Sequence, residues 1–160
     1  MIGLREITES WSALYSNSAA VRSAVAFVHV GGLVAGGGTA VVADRATLRA
    51  IRRGGAIVAA EVERLQGAHR AVLAGLVAVT VSGILLMLAD FDAYVVSAAF
   101  WIKMGLVGAL LLNGAWLARV ASRTPVSGAG NGRPLRIACL FSLILWFATT
   151  LLGTVLPNVV

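Results

Sequence analysis

Charge is what this chain has least of. Charged residues make up 12% of its 160 residues, against 59% hydrophobic, and the mean hydropathy is +0.89. A soluble domain carries about 25% charged residues, so a water-exposed globule is excluded. Acids are the scarcer sign, 7 Asp and Glu against 13 Lys and Arg. The single cysteine, Cys139, excludes a disulfide within one chain and any cysteine-based zinc motif. It reads as a small buried hydrophobe. Residues 1–20 lack the apolar core of a cleavable signal peptide. No nucleophile–base pair, phosphate loop, carboxylate dyad or zinc spacing is present in the sequence. No catalytic residue is therefore assigned.

What the chain does have is long apolar runs: Ser23–Ala43, Ala71–Ala89, Tyr94–Ala118 and Ile137–Leu156. Runs of about 20 apolar residues read as transmembrane helices. Their alternation is too weak for a β-barrel. The prediction is an all-α integral membrane four-helix bundle, one domain over 1–160. Its spans are 20–43, 69–89, 93–118 and 135–157. An N-terminal amphipathic helix over 3–17 precedes them, with Leu4, Ile7, Trp11, Leu14 and Tyr15 on one stripe. It is expected to lie along the membrane–water interface, Trp11 and Tyr15 at headgroup level.

The basic residues are concentrated. Arg45, Arg49, Arg52, Arg53, Arg64 and Arg70 separate the first two runs, and Arg119, Arg123, Arg133 and Arg136 separate the last two. The turn at Asp90 and Asp92 is purely acidic. The positive-inside rule puts both arginine clusters in the cytoplasm of a bacterial inner-membrane protein, and both termini outside. The arginines are thus topological determinants. The expected partner is the lipid bilayer, within a homo-oligomer or a larger membrane complex, and not nucleic acid.

The first helix can continue past Asp44 to a break at Gly54–Gly55, with the second starting as early as Ala56. Residues Thr124–Arg133 read as a mobile loop rich in Gly, Pro and Ser. Pro134 suits the first turn of the last helix, and Pro157 marks its far end.

Lys103 stands alone as a charge within Tyr94–Ala118. A lone ammonium in hydrocarbon costs about 3 kcal/mol on insertion scales, so something must compensate it. Counting from the outer boundary, His29 lies about 10 Å deep and Lys103 about 13 Å deep at 1.5 Å per residue. These two form an outer pair. His69 with Asn113 would form an inner pair. A haem bridged by His29 and His69 is disfavoured, because their depths differ by about 15 Å. A haem with His29 alone as metal ligand fits, its other side open or filled by Lys103, Met104 or a partner subunit. Gly32 and Gly36 share the His29 face at i+3 and i+7. That bare face admits either a porphyrin plane or a close helix. His29 itself either ligates or hydrogen-bonds a carbonyl or hydroxyl of a neighbouring helix. Trp146 either packs on a cofactor or fills the core.

The segments FVHVGGLVAGGGTAVVADRATL, HRAVLAGLVAVTVSGILLMLADFDAY and AFWIKMGLVGALLLN together resemble an uncharacterised family of small bacterial four-helix membrane proteins. More distantly they resemble HemJ-type membrane protoporphyrinogen oxidases and CopD-like copper-resistance membrane proteins. The resemblance implies haem b, with His29 in FVHVGG and Lys103 in FWIKMG at the two functional positions. Thr80–Val81–Ser82–Gly83 is similar to the second-helix pattern of the HemJ type. The chain departs from it at Asn113, where a His often follows the lysine motif. The expectation is therefore a haem b-binding redox protein, its site at His29, Lys103, Gly32, Gly36 and Met104. The competing expectations are a non-enzymatic structural subunit and a small transporter component.

Overall fold

A computed structural model describes residues 2–53, 56–123 and 132–158. In chain order the helices are α1 (Ile2–Asn17), α2 (Ala19–Arg53), α3 (Ala56–Ala89), α4 (Phe91–Val96), α5 (Ala98–Arg123) and α6 (Arg133–Val155). A 3₁₀ turn, Leu156–Asn158, follows. There is no strand among the described residues. Four stretches are long and apolar enough to cross a membrane: Ala19–Arg53, Gly67–Ala89, Ala98–Ser122 and Arg133–Val155. They point to a multi-pass membrane protein. Large apolar side chains cover its outside, Phe27 at 78% and Phe147 at 67% exposure among them, as lipid contact requires.

The expected Gly54–Gly55 break, the body of the Thr124–Arg133 loop, and the side chains of Leu4 and Pro157 lie outside the described residues. Pro134 does sit in the first turn of α6, where its missing N–H has no helical partner to lose.

Two serines set helix boundaries. Ser18 separates α1 from α2, and its Oγ accepts from the Val21 N–H at 3.3 Å. Ser97 separates α4 from α5, and its Oγ accepts from the Phe100 N–H at 3.4 Å. Both act as N-caps, satisfying donors that a helix start leaves open. The long helix α5 therefore begins at Ala98, and residues 91–96 form a separate short helix. Trp101 Nε1 fastens that corner by donating to the Val95 carbonyl at 2.9 Å.

Helix α1 packs on the acidic end of α3. Trp11 Nε1 donates to the Leu85 carbonyl at 2.8 Å, and Ser12 Oγ to the Ala89 carbonyl at 2.8 Å. The Ala89 carbonyl is one of those that a helix end leaves without a helical donor, while the Leu85 carbonyl, one turn earlier, takes Trp11 as an additional donor. Arg22 closes the α1–α2 corner by donating to the Tyr15 and Ser16 carbonyls. Of the expected apolar stripe, Trp11 and Tyr15 are half-buried while Ile7 and Leu14 are exposed. The stripe is thus split between the bundle and the outside.

The long helices pack around the bundle in the order α3, α2, α6, α5, and α3 closes on α5 only loosely. The α2–α3 contact is the tightest. A Cβ built on Gly75 would lie 2.5 Å from Gly36 Cα and 2.7 Å from the Gly32 carbonyl oxygen. Only bare backbone permits that approach. Near the arginine-rich end, Ala121, Leu135 and Cys139 form a small core with Ala43, Leu48 and Ile51 packed on it. Cys139 is 0% exposed.

Candidate functional site

Two regions stand out, one in each half of the bundle. The first surrounds His29. Its Nδ1 lies 2.9 Å from Ser82 Oγ. Ser82 Oγ lies 2.6 Å from the Ala78 carbonyl oxygen, and a hydroxyl has one proton to give. Ser82 therefore donates to Ala78 and accepts from His29. This assigns the imidazole proton to Nδ1 and leaves Nε2 with a bare lone pair. Gly83 forms a wall of the ring site, since a Cβ there would sit 3.5 Å from His29 Cε1, an ordinary contact. His29 thus bonds a neighbouring helix, one of the two roles open to it from sequence.

Lys103 crosses from α5 to α6, where a Cβ on Gly153 would lie 3.5 Å from Nζ. Its charge acts electrostatically on His29. The other expected site residues lie elsewhere. Gly32 and Gly36 are covered by α3: added Cβ atoms would lie 3.0 Å from Ala78 Cβ and 3.0 Å from Gly75 Cα respectively. This face therefore holds a helix. Met104 lies on the exposed side of α5. Trp146 packs on Gly37, whose added Cβ would come within 2.9 Å of the indole. It fills the core at that point. Among the described residues no group of three His, Cys, Asp or Glu is arranged to hold a metal ion.

The second region is a cleft of about 540 Å³ towards the arginine-rich end. It fills the loose side of the bundle. Ala40, Ala43 and Asp44 of α2 form one wall, Val72 and Leu76 of α3 another, and Leu110, Gly114 and Ala118 of α5 a third. Trp146 of α6 completes it, and His69 lines it as well. Leu73 and Leu111 on its rim are 49% and 47% exposed, so the gap between α3 and α5 opens sideways. The expected inner pair does not form as such. Asn113 turns to α6 and donates from Nδ2 to the Ala138 carbonyl at 3.1 Å, leaving His69 alone at the cleft.

Asp44 is the residue that sequence reasoning missed. It is 1% exposed. Its carboxyl group accepts from the Ser142 hydroxyl and the Cys139 thiol, while Oδ2 has no hydrogen-bond partner. A signal was available. Gly36, Ala40, Asp44, Thr47 and Ala50 are all buried, and their spacing is that of one helix face. Beside Arg45, Asp44 reads instead as the polar end of a span.

No protein-family model, curated protein or solved structure matches this chain.

Proposed function

We propose that this chain is a membrane-embedded binding component, of the kind a small transporter uses, that takes a hydrophobic small molecule from the bilayer. The observation that carries the reading is the 540 Å³ cleft, apolar on most of its walls and open between α3 and α5. Ligand sites commonly have volumes of about 300–1,000 Å³, apolar linings and a few polar groups. Entry from the side suits a solute already dissolved in lipid. The test is saturable binding of the neutral probe N-phenyl-1-naphthylamine to purified protein, read as fluorescence above empty micelles. Gly114→Leu together with Ala118→Phe fills the cleft and is expected to abolish that signal. Unchanged binding by the filled variant would reject the reading.

A second reading keeps haem b at His29. It is favoured by the Nδ1–H bond to Ser82, because a ligating histidine characteristically anchors its other ring nitrogen in this way. Lys103 would neutralise a propionate. The filled Gly32 and Gly36 face counts against it. Protein made with ample haem should then show a Soret band that His29→Ala abolishes and His69→Ala spares. A colourless protein would reject it.

A further inference from the structure

We propose that Asp44 is the counter-ion for a lipophilic organic monocation, an alkylammonium carrying an aromatic or long apolar group, bound in the cleft between α3 and α5. This rests on the cleft being a binding site and names what it selects. Three observations support it.

The carboxylate lacks a partner for one of its oxygens. Asp44 Oδ2 is shielded from water and accepts no hydrogen bond. A charged oxygen left so is costly, and a proton or a cation compensates it. Among the described residues no Lys or Arg lines the cleft, and His69 is its one basic-capable side chain. Ser142 and Cys139 donate to the carboxyl group from α6, and they hold it beside the cavity.

The surroundings of the carboxylate suit the rest of such a molecule. Alanine, valine and leucine side chains line most of the cavity. Trp146 lines it too, and an indole is the best aromatic partner for a desolvated ammonium. Trp146 is only 5% exposed and is held against Gly37, so its ring is fixed in place before any ligand arrives.

The route of entry suits an amphiphile. An alkylammonium inserts in a bilayer with its charge near the headgroups and its tail in hydrocarbon. The cleft has the same polarity along its length. Asp44 and His69 lie towards the arginine-rich end, while Leu76 and Leu110 lie deeper. Charge and tail can therefore enter together through the gap between Leu73 and Leu111.

The test compares two fluorescent probes of one shape, a naphthyl-alkylammonium and the uncharged naphthyl-alkanol, on the purified full chain. Wild type should bind the ammonium at least about tenfold more tightly. Asp44→Asn, nearly the same size, should abolish that preference and leave alkanol affinity within about twofold of wild type. Asp44→Glu should keep a preference for the cation. Size-exclusion profiles establish that each variant is folded. If Asp44→Asn fails to fold, Asp44→Glu and wild type decide the matter through the probe preference alone. Equal affinity of wild type for both probes, or a preference that survives Asp44→Asn, overturns the charge assignment. Absence of saturable binding for either probe overturns the cleft reading on which it rests.

Discussion

The two sides of α3 use small residues to opposite ends. Towards α2, Gly75 meets Gly36 and Gly32 so closely that no Cβ fits. The helices there touch backbone to backbone. Across the bundle, Gly114 of α5 lines the cleft, and a Cβ built on it meets nothing within 4 Å. The same residue type closes one interface and leaves the other open. A glycine on a membrane helix is thus a packing device only where a second helix supplies a bare face opposite it. Where none does, as at Gly114, the missing side chain adds to the space of the cleft.

The contrast is broken most severely at Gly75. Gly75→Val places side-chain carbon against Gly36 Cα, closer than any real contact, and the two helices must part. Overpacking of this kind costs about 1–3 kcal/mol, occasionally more. Thermal unfolding in detergent should shift down clearly. Gly114→Ala is the matched substitution on the open side and should leave the transition within about 0.5 kcal/mol of wild type. Equal effects at the two positions would erase the distinction.

A smaller effect is expected where α1 fastens the end of α3. Trp11→Phe keeps an aromatic ring but removes the donor to the Leu85 carbonyl. A hydrogen bond of this kind is worth about 1 kcal/mol. Faster hydrogen exchange at the acidic end of α3, with the Gly75 region unchanged, would register it. Smaller still is the effect of Gly83→Ala. Its added carbon makes only ordinary contact with the His29 ring, so unfolding should not change. A large loss there would mean that the His29–Ser82 contact is tighter than described.

The orientation of the bundle gives a prediction of another kind. The arginine clusters lie at the ends of α2 and α5 and at the starts of α3 and α6. The positive-inside rule then predicts a cytoplasmic reporter signal from a fusion at Gly128 and an external one from a fusion at Val160. The reverse pattern would turn the cleft to the other leaflet.

The spans were readable because apolar length is a one-dimensional signal. Lys103 and His29 were readable as exceptions within it. Several features were not, and for different reasons. The break at Ser97 depends on a side-chain cap within an apolar stretch that hydropathy treats as continuous. Gly32 and Gly36 offered a bare face from sequence, but what covers it depends on Gly75, some forty residues on in the chain. Asp44 lies just past the first apolar run, on a helix expected to continue beyond it, and its burial depends on where α6 packs. Asn113 was expected to pair with His69, yet its partner is a backbone carbonyl of α6, which no residue pattern reveals. Sequence reveals which residues are costly to bury, and the packing of helices decides what answers them.

On the proposed reading a ligand sits between α3 and α5 with its charge towards Asp44. Photolabelling tests this most directly, using a naphthyl-alkylammonium that carries a diazirine on its apolar end. Peptide mass mapping after irradiation is predicted to find adducts on α3 and α5 around Leu73, Leu76, Leu110 and Leu111. Excess unlabelled ammonium should suppress them, and Asp44→Asn should remove them. Adducts spread over outward residues such as Phe27 and Phe147, unaffected by competitor or by Asp44→Asn, would contradict it.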